Sequence, residues 1–137
     1  SRNIPGFDQA QPQAQQQPSN RVSGRTVPFS FATEVDVATA EEIILRYTLK
    51  NNGGNMIAND STRLRILDTN GKPVEYTIVR MNPDGVVNRI RPGYSEYGTI
   101  RVANPPAANL RIEWPLVEIG PGVTYTIDEI IVELGAR

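Results

Sequence analysis

The sequence predicts an all-β protein, an immunoglobulin-like two-sheet antiparallel sandwich with an extended N-terminal arm. Three observations carry this. From Thr26 onward apolar residues recur at every second position in short runs, the period of a strand with one buried face. Clusters of Gly, Pro, Asn and Asp separate the runs and supply the backbone angles that turns require. Seven to nine such runs fit into about 110 residues, the number and spacing that two packed sheets need.

The first 24 residues are different. Gln9, Gln11, Gln13, Gln15, Gln16 and Gln17 alternate with Pro5, Pro12 and Pro18, a composition that buries too little apolar surface to repay the ordering of the chain. Residues 1–24 are therefore read as an extended arm and residues 25–137 as the sandwich. Within the arm, Ile4 and Phe7 stand beside Gly6 as isolated apolar residues. They are either anchors to a neighbouring protein or incidental side chains of a linker.

The strands follow in order. Val27, Phe29 and Phe31, then Val35 and Val37, predict one long first strand with a break near Ala32. Ile43, Leu45, Tyr47 and Leu49 place one apolar face inward against the polar Arg46, Thr48 and Lys50. After the turn-rich Asn51-Asn52-Gly53-Gly54-Asn55, a third strand is expected at Arg63–Leu67. Asn70-Gly71 then predicts a hairpin, because both residues tolerate positive φ, with a return strand at Val74–Val79. Asn82-Pro83-Asp84-Gly85 is a turn, Val86–Ile90 a short strand and Pro92-Gly93 a further turn. Tyr97–Val102 alternates around Gly98, and Leu110, Ile112, Trp114 and Leu116 share one face. After Gly120-Pro121-Gly122 the last strand runs from Val123 to Leu134, with a bulge expected at Asp128-Glu129 where the alternation slips.

Composition narrows the chemistry. The 137 residues carry no Cys and no His, which excludes disulfides, thiolate or histidine metal sites and every catalytic arrangement that needs imidazole. Lys+Arg number 14 against 15 for Asp+Glu, so no net field draws the chain to nucleic acid or to an anionic bilayer. No apolar run reaches the length of a membrane span. A first residue of Ser1 suits a chain whose leader or initiator Met has been removed, which leaves export open.

The remaining candidates each have a plain reading. Asp68, Asn70 and Gly71 open like a calcium loop, but Val79 stands where the closing acid belongs, so a hairpin turn is expected. Asn55, Asn59, Asp60 and Asp84 are loop residues whose oxygens are either ligands for a calcium ion at one end of the sandwich or simply solvated. Asn51-Asn52-Gly53-Gly54 lacks the Gly-Lys-Ser/Thr ending of a phosphate loop. Asn59-Asp60-Ser61 fits the N-glycosylation pattern, as chance allows. Glu41-Glu42 and Asp128-Glu129 are neighbours along strands or turns and do not face each other across a cleft. Trp114, Tyr94, Tyr97 and Tyr125 are the aromatic candidates for a carbohydrate-binding surface; Trp114 shares its alternation with core residues, and Tyr94, beside the Pro92-Gly93 turn, is the more exposed candidate and the possible ligand surface. Arg63, Arg65, Arg89, Arg91, Arg101 and Arg111 fall between apolar residues and are expected to pair across strands on a wet sheet face.

The stretch from Leu45 to Trp114 carries Leu49-Lys50-Asn51-Asn52-Gly53, Leu67-Asp68-Thr69-Asn70-Gly71, Arg91-Pro92-Gly93-Tyr94-Ser95, Gly98-Thr99-Ile100-Arg101-Val102 and Leu110-Arg111-Ile112-Glu113-Trp114. This order of turns resembles the immunoglobulin-like domains of bacterial exported proteins and lipoproteins. The resemblance implies a sandwich outside the cytoplasm that binds or assembles; the lipid-bearing Cys of the lipoproteins has no counterpart here.

The expected function is a non-catalytic structural subunit of a repeating surface assembly, an extracellular filament or envelope lattice, without cofactor or metal. Its partners are other protein subunits, as a homo-oligomer or lattice. Ile4 and Phe7, or the strand residues Val27, Phe29 and Phe31, would form the subunit contact, the arm or strand packing on a neighbour's sheet. The alternatives are a virus-capsid decoration protein, located on the virion, and a monomeric exported module that binds carbohydrate or protein through Tyr94.

Overall fold

The computed structural model describes residues 19–22 and 25–133. The expected anchors Ile4 and Phe7 lie outside them. Eleven strands are present among the described residues: β1 (Ser19–Val22), β2 (Arg25–Ala38), β3 (Glu42–Asn51), β4 (Ile57–Ala58), β5 (Arg65–Leu67), β6 (Pro73–Val74), β7 (Thr77–Met81), β8 (Arg89–Ile90), β9 (Ser95–Ala103), β10 (Leu110–Glu118) and β11 (Val123–Val132). They form two antiparallel sheets, one ordered β1-β2-β3-β9-β7. In the other, β10 pairs along one side with β11 and along the opposite side with β5 near its start and β4 at its end. β6 and β8 form the outer column of that sheet, pairing with β5 and β4. The immunoglobulin-like sandwich expected from the strand pattern is thus the fold of the chain.

The two-residue period does most of the building. In β3 the residues Ile43, Leu45, Tyr47, Leu49 and Asn51 are all buried, and the intervening ones face outward. β10 buries Leu110, Ile112, Trp114 and Leu116 in the same way. The two inward rows meet at the centre, where the Trp114 ring stands edge-on to Tyr47 with 5.6 Å between centroids. Such a pair contributes about 0.5–1.5 kcal/mol beyond the area it buries.

Several boundaries differ from the sequence reading, each for an identifiable reason. Ser19–Val22, assigned to the arm, pairs with β2 and so belongs to the sheet. β2 is unbroken at Ala32; its irregularity falls at Asp36, between the pairs Val35–Leu45 and Val37–Ile44. The extra residue frees the Asp36 carboxylate to accept hydrogen bonds from Arg46. The third strand begins only at Arg65, because Ser61–Arg63 is a turn of 3-10 helix capped by Asp60, whose carboxylate accepts from the Thr62 N–H at 3.0 Å. The expected return strand Val74–Val79 is two strands in different sheets: β6 completes the Asn-Gly hairpin, and β7 crosses to the other sheet. The Tyr76 hydroxyl, donating to the Leu64 carbonyl, pins that crossover. The slip in β11 lies at Ile131 rather than at Asp128-Glu129, since Leu110 pairs with Val132 and Arg111 with Ile130. As a result Ile131 and Val132 are both buried.

Val27, Phe29 and Phe31, expected as contact residues, lie on the inward face of β2. They are buried in this chain's own core, where Phe31 packs 5.8 Å from Tyr47 and Phe29 stands edge-on to Tyr125. Their side chains are used within this chain.

Candidate functional site: a buried carboxylate beside the free edge of a sheet

β9 continues its inward row Val102, Ile100 and Gly98 one step further, to Glu96. Period two therefore aims an acid into the core, and Glu96 is fully buried. An isolated carboxylate there would be untenable, so its oxygens must be satisfied by the protein. Oε1 accepts from Asn59 Nδ2 at 2.9 Å, Arg80 Nη2 at 3.0 Å and Asn82 Nδ2 at 2.8 Å. Oε2 accepts from the Tyr47 hydroxyl and from Arg80 Nε at 3.0 Å. Arg80 arrives by the same logic, sharing with Ile78 the inward face of β7 while Thr77, Val79 and Met81 face out.

The cluster joins elements remote in sequence. Arg80 also donates to the Asn59 carbonyl and to Asn88 Oδ1, and it lies 5.9 Å from the Trp114 ring centroid. Trp114 Nε1 donates to the Asp60 carbonyl at 3.0 Å. Asn88 has φ +61, a left-handed conformation that Asn tolerates better than most residues. Burial opposes the Arg80 charge, but hydrogen bonds and attraction from Glu96 outweigh it and hold the guanidinium above its ordinary value. Burial, reinforced by the Glu96 charge, pushes the Tyr47 phenol far above the usual tyrosine range. Glu96 is enclosed and fully engaged, so its chemistry is that of a pin: it ties β3, β7 and β9 of one sheet to the β4–β5 connection of the other.

Gly98 is part of the same construction. A Cβ at Gly98 would stand 2.1 Å from the Tyr47 ring, so glycine is what lets the ring lie across β9 and reach Glu96. On the outer side of the sheet, at this level, Arg46, Thr48, Val79, Met81, Tyr97 and Thr99 line an open groove of about 160 Å³. Val79 is 71% exposed, Met81 65% and Tyr97 46%. They sit together because Met81 pairs with Tyr97 and Val79 with Thr99. β7 is the last strand of its sheet, and no described strand pairs with its other side.

The residues singled out from sequence fall as follows. Tyr94 is 44% exposed, but the Arg91 guanidinium lies 5.1 Å from its ring centroid, with Arg91 held by Asp84. Asn59 is buried inside the Glu96 cluster, which withdraws it as a glycosylation acceptor in the folded chain. Asn55, Asn59, Asp60 and Asp84 do not converge: Asn55 bonds Glu118, Asp60 caps the 3-10 turn and Asp84 holds Arg91. Asp68 accepts from the Asn70 and Lys72 N–H groups within its hairpin, where Gly71 has φ +79. Trp114 is core. Three of the six arginines pair across strands, Arg65 with Glu113, Arg101 with Glu42 and Arg111 with Asp128.

The sequence reading missed Glu96, Arg80 and Asn82. The signal was available: extending the alternation of Ile100 and Gly98 backward reaches Glu96, and extending that of Ile78 forward reaches Arg80. Opposite charges on two inward rows are a buried pair in waiting.

No family model matches the chain, and no curated protein matches it. Among solved structures, the yjhA protein from Bacillus subtilis has a TM-score of 0.53 at 12% identity, covering 82% of this chain and 96% of that one. The GAE domain of yeast GGA1 gives 0.44 at 10% identity, over 82% and 98% of the two chains. The GAE domain of GGA2p from Saccharomyces cerevisiae gives 0.46 at 13%, over 82% and 96%. The likeness to yjhA is one of fold. Among the described residues, no helix is long and apolar enough to cross a membrane.

Proposed function

We propose that this chain is a non-catalytic structural subunit of a repeating assembly at the cell surface or outside the cell, joined through the open edges of its five-stranded sheet, with the arm packing on the neighbouring subunit. The observation that carries this reading is the state of β7. It combines an edge with which no described strand pairs and the exposed apolar row Val79 and Met81. The opposite edge of the same sheet is β1. Joining the β7 edge of one copy to the β1 edge of the next is a head-to-tail contact, so it repeats, into a ring where the rotation closes and into an open filament where it does not. All pairings in the sheet are antiparallel, which makes β1 and β7 run in the same direction, and a simply translated copy would bring them together as a parallel pair. The setting outside the cytoplasm rests on the resemblance of the turn motifs to bacterial exported domains.

Light scattering on the full chain over a wide concentration range tests this, with the double substitution Val79→Lys, Met81→Lys as comparison. The expected result is a mass that rises with concentration for the native chain and stays that of one chain for the variant, because edge lysines oppose strand pairing. A native chain that is monomeric at every concentration sinks the proposal and turns attention to Tyr94 and a small-molecule or protein ligand.

A further inference from the structure

Resting on that assembly reading, we infer that the groove beside β7 is the seat for the Phe7 side chain of a second copy of this chain. Size is the first argument. An open groove of about 160 Å³, lined by Arg46 and Thr48 as well as by Tyr97, Val79, Met81 and Thr99, has room for one aromatic ring, the size of molecule that an enclosed apolar cavity of roughly 150 Å³ holds. The chain has three Phe residues, and Phe29 and Phe31 are locked in the core, which leaves Phe7.

Reach and position supply the second. Ser19 pairs with Phe31, Phe31 with Leu49 and Leu49 with Glu96, so the entry point of the described chain, Ser19, stands close to the level of the groove, on the opposite edge. In a head-to-tail row that entry point stands about 5 Å, one strand spacing, from the neighbour's β7. The chain's own β7 lies four spacings away, about 19 Å. The twelve steps from Phe7 to Ser19 span at most about 40 Å, so the neighbour's groove is well within reach and is the nearer seat. The site thus names what the β7 strip receives: the Phe7 segment of the adjacent copy, which covers the exposed apolar row as it binds.

A complementation experiment with full-length chains tests this. Phe7→Ala removes the donor and leaves the groove; Met81→Glu fills the acceptor with charge and leaves the arm. Met81 is exposed, and circular dichroism checks that each variant is folded. Each alone is expected to associate about 100-fold more weakly than the native chain, as loss of a buried aromatic anchor implies. Mixed, they are expected to form pairs that stop at two chains, because only one donor and one acceptor remain. Unimpaired assembly by Phe7→Ala overturns the Phe7 assignment while the assembly reading stands. Monomeric variants that fail to pair when mixed overturn it as well. A native chain that is monomeric, and that binds more of an apolar dye once Phe7 becomes Ala, overturns the second copy as donor, since the arm then covers its own groove.

Discussion

Arg80→Met probes the reasoning about the buried cluster most directly. The substitution keeps an unbranched apolar stem and removes the guanidinium, the one cation bonded to Glu96, together with two of the five hydrogen bonds its oxygens accept. Glu96 has no exposed surface through which water can replace them, and Arg80 itself is 15% exposed. Removing one partner of a buried pair costs about 3–5 kcal/mol, because the other charge is left without its counterpart. For a domain of this size that corresponds to a fall in Tm of roughly 12–25 °C. The cost is a large part of the roughly 5–15 kcal/mol that holds such a domain folded. Urea unfolding monitored by Trp114, the single tryptophan, gives the number, with far-UV circular dichroism as a second probe because Arg80 lies against the indole. Adding Glu96→Gln to Arg80→Met should cost less than the sum of the two single changes, by about 0.5–3 kcal/mol, since the orphaned charge disappears with its partner. A loss below about 1 kcal/mol for Arg80→Met would refute the argument, placing the pair among exposed ion pairs that contribute little.

Further outcomes follow from the same geometry. Gly98→Ala drives a methyl into the Tyr47 ring and should cost about 1–3 kcal/mol or more in denaturant unfolding. Tyr47 keeps its proton in the folded state because burial and Glu96 raise its pKa, so its contribution is complete below the unfolded value of about 10 and is lost as pH rises above it. In an absorbance titration, the difference between the native chain and Tyr47→Phe should appear together with the loss of β-sheet signal at alkaline pH; ionisation of Tyr47 in a still folded chain would count against its burial. Arg46→Ala breaks surface pairs with Glu34 and Asp36 at a site where Arg46 is 54% exposed, and stability should change by less than about 1 kcal/mol. Gly71→Ala places a side chain at φ +79 and should weaken the Asn-Gly hairpin by about 1 kcal/mol, measurable as a lower Tm.

Read alone, the sequence determines the fold class, because strand periodicity and turn chemistry are local. The alternations of β3 and β10 can be read from Ile43 to Leu49 and from Leu110 to Leu116, and the Asn70-Gly71 turn from its dipeptide. It also removes histidine and thiol chemistry outright. Tertiary structure decided where strands change sheets and which polar residues are core. Nothing local tells that Val74 and Val79 belong to different sheets, since that depends on which partners, Ile66 for one and Thr99 for the other, offer open backbone. Nor does local pattern bring Glu96 to Arg80, Asn59 and Tyr47, residues 16 to 49 positions apart whose meeting requires both sheets to be stacked. The free edge has the same origin: Val79 and Met81 are ordinary strand residues until the order of the sheet leaves one side of β7 without a described partner.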